Sequence, residues 1–177
     1  MSAASGAPER TALGSAPPPP VAADDHVRGR GPEVIVYFDL ACPRCAGIWG
    51  RIAELPLRLC VRHFPVASKR PRSPALHAAA EAAAATSEEA FWGFWDSLIE
   101  DRARVDDPHL WERAERLGIE VERFERARRS DAVAARVRRD FSSGIRAGVT
   151  GTPAAFSGGT SLAGDLEAAL TELASAA

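Results

Sequence analysis

The sequence predicts one α/β domain: a strand–helix–strand half and a strand–strand–helix half, separated by an inserted block of helices. Three observations predict it. Val34 to Phe38 is an unbroken apolar, β-rich run, the pattern of a strand covered on both faces. After Cys42 the period changes, with Cys45, Ile48, Trp49 and Ile52 falling at i, i+3, i+4 and i+7, the stripe of a helix ending near Glu54. Pro56 breaks that helix, and Leu57, Leu59 and Val61 then alternate with Arg58, Cys60 and Arg62 as a second strand. A strand, helix and strand within roughly thirty residues form a right-handed βαβ unit with parallel strands.

The other elements follow in order. Residues 1 to about 31 are rich in Ala, Gly, Ser and Pro, contain the run Pro17 to Pro20 and lack a hydrophobic period, so a disordered tail is expected there and the domain over 32–177. From about 74 to 129 the chain reads as inserted helices. One is Ala-rich, one carries Phe91, Phe94, Trp95, Leu98 and Ile99, and one carries Leu110, Ala114 and Leu117 before Gly118. Val133, Val137, Phe141 and Ile145 step by four along a longer helix stopped by Gly148. A small hairpin over Pro153–Phe156 and the run after Gly158-Gly159, then a helix with Leu166, Leu170 and Leu173, complete the domain.

Composition narrows the function. The 177 residues suffice for one domain with a hydrophobic core, and 46% hydrophobic with 26% charged residues is globular. A net charge of −2 supplies no field for a polyanion or an anionic membrane, so neither nucleic acid nor membrane is an expected partner. Met1 to Arg10 has no charged region followed by an apolar run of signal-peptide length, and no stretch is apolar for about eighteen residues. A cytoplasmic location is the expectation. There, three cysteines are not a disulfide framework.

Cys42-Pro43-Arg44-Cys45 is the motif that carries chemistry. A Cys-x-x-Cys pair alone is as much a zinc motif as a redox one. A structural zinc needs four ligands, usually two such pairs, and the chain otherwise offers Cys60 and four scattered histidines. Redox chemistry is therefore the reading, with no metal and no bound cofactor expected. Only a thiolate attacks a disulfide, and a free cysteine, with a pKa of about 8.5, is mostly protonated near neutrality. Cys42, at the end of a strand and the start of a helix, is expected to be accessible and to be activated by unpaired N–H groups and the positive end of the helix dipole. Arg44 adds a cation nearby, and Pro43 suits a first-turn position. Cys45, one turn inside on the apolar stripe, is placed to resolve a mixed disulfide on Cys42. Cys60 is read as a packed core thiol and His63 as a structural imidazole. Asp39 is read as a loop residue accepting backbone hydrogen bonds rather than as a proton relay. Gly151-Thr152-Pro153, before a strand, is by itself a turn whose X–Pro bond can be cis.

The stretches Val36 to Cys45, Arg62-His63-Phe64-Pro65 and Gly148 to Pro153 resemble the DsbA-like branch of the thioredoxin superfamily, over roughly residues 24 to 175. The likeness extends to the thioredoxin-like domain of some sodium/proton antiporters, where an Asp-His-Val-x-Gly segment such as Asp25 to Gly29 also occurs. The resemblance implies a thioredoxin-like fold and thiol–disulfide oxidoreductase activity on protein or small-molecule disulfides. It implies Cys42 as nucleophile, Cys45 as resolving cysteine, and Thr152 with a cis-linked Pro153 as the pair that holds the substrate backbone. Expected partners are thiol- or disulfide-containing proteins and a redox partner protein, with the chain a monomer or weak dimer. Two other readings are a glutathione-dependent isomerase or transferase, whose family members generally lack an intact cysteine pair, and a non-enzymatic redox-sensing, partner-binding domain. Ala154 to Leu162 is shorter and richer in Gly and Ser than the family hairpin, so a frayed or partly lost last strand is expected.

Overall fold

A computed structural model describes residues 15–176. A five-stranded sheet in the order β1-β3-β2-β4-β5 forms its centre. The strands are β1 (His26–Arg28), β2 (Glu33–Phe38), β3 (Arg58–His63), β4 (Ala154–Ser157) and β5 (Thr160–Leu162). Helix α1 (Pro43–Ala53) links β2 to β3, which pair in parallel with Val34 opposite Leu59 and Phe38 opposite His63. Helices α2 (Ser73–Ala84), α3 (Glu88–Glu100), α4 (Asp107–Arg116) and α5 (Val121–Arg128) are the insertion, α6 (Asp131–Arg146) returns the chain to the sheet, and α7 (Leu166–Ser175) closes it.

The apolar run in β2 is unbroken because both of its faces are covered. Val34, Val36 and Phe38 face the larger core, formed with α1, the inserted helices and α7, while Ile35 and Tyr37 face a smaller one with Cys60, Phe64 and Phe156. Helix α6 roofs that second face, and the Tyr37 and Ser143 hydroxyls bond at 2.8 Å. The roof sits close. A methyl group on Gly144 would stand 2.7 Å from the Phe64 ring and 2.9 Å from Tyr37. Gly144→Ala is therefore expected to lower stability by about 1–3 kcal/mol through overpacking, measurable by urea unfolding. Past α6, Gly148 (φ 80) turns the chain, and Val149 N–H donates to the Gly144 carbonyl, which ends the helix.

Two expectations are corrected. The tail expected over 1–31 does not reach 31: His26–Arg28 is an edge strand antiparallel to β3, and Val21 and Val27 pack on the second core. Asp25 is buried and accepts from Arg62 at 2.9 Å and Arg139 at 2.9 Å. The Arg28 guanidinium lies 4.7 Å from the rings of both Trp49 and Trp92. Residues 1–14 of the expected tail lie outside the described residues. The last hairpin is formed rather than frayed, with Ala155 opposite Leu162 and Ser157 opposite Thr160, since Gly158 (φ 56) and Gly159 (φ 80) supply its tight turn.

Candidate active site

Cys42 is the N-cap of α1, with extended backbone (φ −81, ψ 123), and Pro43 occupies the first turn. No carboxylate lies in that turn to compete for its N–H groups. Cys42, Cys45 and Cys60 are all free thiols. The Cys42 sulfur is set by the loop before it, whose organiser is Asp39. This fully buried carboxylate accepts from the N–H of Ala41 at 2.9 Å, the Ser73 hydroxyl at 2.5 Å and Arg70 at 3.1 Å. Burial opposes its charge, but the neighbouring His77, the Ser73 hydroxyl and the Ala41 N–H outweigh it and hold the carboxyl at about 2. With every approach to Asp39 occupied by a donor, it braces the loop.

Opposite α1, the segment before β4 brings Thr152 to the cysteines, and the Thr152–Pro153 peptide bond is cis. The Cys42 Sγ donates to the Thr152 carbonyl at 3.5 Å. Among the described residues, the buried Thr152 hydroxyl has no hydrogen-bond partner in the thiol state. The structure thus brings Cys42, Cys45 and Thr152 together, with Pro43 and Arg44 exposed beside them.

The two thiols differ sharply. Hydrogen bonding from the Cys45 side chain pulls the Cys42 thiol down to about 5, aided against burial by the Cys45 N–H, the Thr152 side chain and the Arg44 N–H. Cys45 moves the other way, pushed far up by burial and then by its bond to Cys42 and the charge there. Arg44 contributes its main-chain N–H to the Cys42 sulfur, and the residue is exposed. The expected accessibility of Cys42 is corrected, because with the Thr152 carbonyl against its sulfur it is only 1% exposed. Beside it, two surface grooves share Arg44, Gly151 and Thr152.

Replacing Thr152 with Val removes one donor to the Cys42 thiolate. Its midpoint, read from the ultraviolet absorbance of the thiolate, is expected to rise by roughly one pH unit. The wild-type midpoint of about 5 lies below the value of an unfolded cysteine, so ionisation stabilises the reduced fold above about pH 8.5, and that stabilisation is lost as pH falls through about 5.

Cys60 is fully buried in the second core, where burial first, and then the charge of Asp25, pushes its thiol up to about 12. It is inert packing. The histidines are not scattered. His26, His63 and His77 converge with Glu81 behind the loop, joined by contacts of 2.8 to 3.0 Å. The one local signal for this was His77 and Glu81 four apart on one face of α2.

A model of the DSBA-like thioredoxin domain matches residues 49–174, a stretch that begins just after the cysteine pair. The chain is 35% identical over 162 residues to the Na(+)/H(+) antiporter NhaA of Herminiimonas arsenicoxydans, covering 85% of this chain and 25% of that protein. It is 32% identical over 143 residues to Na(+)/H(+) antiporter NhaA 3 of Salinispora tropica, covering 76% of this chain and 22% of that protein. The chain thus spans about a quarter of the length of these curated relatives. Among solved structures, it is similar to the thiol-disulfide exchange protein alpha-DsbA2 from Wolbachia pipientis (TM-score 0.76, 17% identity, 88% of each chain). It is also similar to BdbD from Bacillus subtilis (TM-score 0.75, 16% identity, 92% of this chain and 97% of that one). These likenesses are of fold.

Proposed function

The chain belongs to the family of DSBA-like thioredoxin domains, and from that premise we propose that it is a thiol–disulfide oxidoreductase acting on protein disulfides through a mixed disulfide at Cys42. The observation that carries this is the opposed setting of two thiols one helical turn apart, with Cys42 held at about 5 and Cys45 held protonated by burial. Near neutral pH such a pair has one nucleophile and one reserve.

The Cys42 thiolate attacks one sulfur of a substrate disulfide, the substrate S–S bond breaks, and its other sulfur leaves as thiolate. In the mixed disulfide Cys42 is uncharged, which removes one of the influences that raised the Cys45 thiol. Cys45 then gives its proton to the departing thiolate and attacks the Cys42 sulfur. The second substrate sulfur leaves as thiolate, to be protonated by water, and a Cys42–Cys45 disulfide remains. Two electrons pass to the substrate, and the reverse sequence oxidises a dithiol. In this reading an extended substrate segment pairs with the Thr152 backbone, and the support for it is the closeness of the Thr152 carbonyl to the Cys42 sulfur.

Reduction of insulin disulfides by the dithiol form tests the proposal. Turnover by the wild-type chain supports it, and no turnover, or equal turnover by Cys42→Ser, contradicts it. The likeness to antiporters favours a narrower version of the same chemistry, in which the pair serves one dedicated partner protein. Trapping with Cys45→Ser separates the two: one abundant adduct indicates the dedicated partner, many adducts a general exchanger.

A further inference from the structure

Behind the active-site loop, buried side chains form a continuous hydrogen-bonded chain whose proton positions follow from its two ends. Leu40 N–H donates to His77 Nε2 at 3.1 Å, so the His77 proton sits on Nδ1. Nδ1–H donates to His63 Nδ1 at 2.8 Å, which leaves the His63 proton on Nε2, donating to Glu81 Oε2 at 3.0 Å. At the other end, His26 has carboxylates on both ring nitrogens: Glu81 on Nε2 at 2.9 Å and Glu88 on Nδ1 at 2.8 Å. Both nitrogens donate, so His26 is an imidazolium. Burial opposes that charge, and Glu81 and Glu88 prevail to raise its pKa. Burial pushes His77 down to about 4, in keeping with its acceptor role.

We propose that this cluster is a binding site for a divalent transition-metal ion, with His26 Nε2, His63 Nε2 and Glu81 Oε2 as ligands. The three atoms lie within 4.8 Å of one another. Two imidazoles and one carboxylate are a donor set for zinc-like ions rather than for magnesium or calcium. The outer nitrogens are already held, His26 Nδ1 by Glu88 and His63 Nδ1 by His77, as metal-binding imidazoles require. The site is reachable, because His26, Glu81 and Glu88 border a cavity of about 600 Å³, which leaves room for water at the metal's remaining position. Of the other charged groups around that cavity, Asp25 is engaged by Arg62, Arg136 and Arg139, and Asp24 by Arg136 and Arg139.

Charge and protons balance. In the metal-free cluster two carboxylates face one imidazolium; with a dication and a neutral His26 the same carboxylates are neutralised. One proton leaves, that of His26 Nε2. The His63 proton shifts to Nδ1 and the His77 proton to Nε2, with no change in their number. His77 Nε2–H then faces Asp39 Oδ1, 3.6 Å away, in place of accepting from Leu40 N–H. Occupancy is thereby felt two residues before Cys42.

The test is calorimetric titration of zinc into the full-length chain with Cys42 and Cys45 oxidised to their disulfide, which removes them as ligands. One zinc per chain is expected, with release of about one proton read from the dependence of the heat on buffer, and no binding of magnesium. His26→Gln and Glu81→Gln are expected to weaken zinc binding at least about 100-fold. Should these variants fail to fold, histidine NMR of the wild-type chain decides: the His26 and His63 ring signals move with zinc and His109 stays. Absence of saturable binding, unchanged affinity in Glu81→Gln, or movement of His109 alone overturns the proposal.

Discussion

Cys45→Ser is expected to accumulate as a covalent complex with its substrate, while Cys42→Ser falls to the uncatalysed background in disulfide exchange. The asymmetry follows from the environments of the two sulfurs. Cys42 is the thiol held near 5, and without it the remaining Cys45, fully buried and pushed far up, supplies essentially no thiolate at neutral pH. Removing Cys45 leaves Cys42 able to attack. The mixed disulfide then has no neighbour to resolve it and persists until an external thiol arrives. Serine at position 45 keeps a hydroxyl donor for the Cys42 sulfur, so Cys42 stays an attacking thiolate in Cys45→Ser and trapping is expected at neutral pH. Intact-mass analysis under non-reducing conditions reads the adduct, and the same analysis of Cys42→Ser is expected to show none.

The largest expected effect on stability lies at Asp25. Its carboxylate accepts from Arg62 on β3 and from Arg136 and Arg139 on α6, while its backbone leads into β1. Burial works against that charge, but the Ala22 N–H and Arg62 hold its carboxyl below the usual range. The side chains of Arg62 and Asp25 are 4% and 1% exposed. Asp25→Ala therefore strands a buried guanidinium and is expected to cost about 3–5 kcal/mol in urea unfolding. Replacing Asp25 and Arg62 together with apolar residues is expected to cost much less, since the penalty comes from the unpaired charge and not from the absence of the pair. A chain lacking its first fourteen residues loses none of these contacts, whereas one lacking residues through Arg28 loses all of those made by Asp25 and β1.

Asp25 also shows why the start of the domain was hidden from sequence. β1 is three residues long and lies at the sheet edge, so it has no alternation to read, and its place is set by arginines 37 to 114 residues away. β2 was legible because a strand covered on both faces needs apolar residues throughout, and α1 because Cys45, Trp49 and Ile52 bury one stripe. The cysteine motif and its place at a helix start were legible for the same reason. The mechanism that tunes it was not. Arg44 reads as a nearby cation in the sequence, and the structure adds a contribution from its backbone N–H that spacing does not reveal. The Thr152 hydroxyl comes from 110 residues downstream of Cys42, and its effect depends on a burial that no spacing reveals. The histidine cluster was missed likewise, since His26, His63 and His77 come from two strands and a helix.

Whether Cys42 is a stabilised thiolate in the reduced chain is tested most directly by the reduction potential of the Cys42–Cys45 couple. A nucleophile at about 5 rather than at thioredoxin's value of about 7 favours the reduced form at pH 7 by roughly fifty-fold, which raises the potential by about 50 mV. Equilibration with glutathione is therefore expected to give a value on the order of −220 mV. A potential at or below thioredoxin's, about −270 mV, would contradict the account, because the reduced pair would then lack the stabilisation on which the proposed role of Cys42 rests.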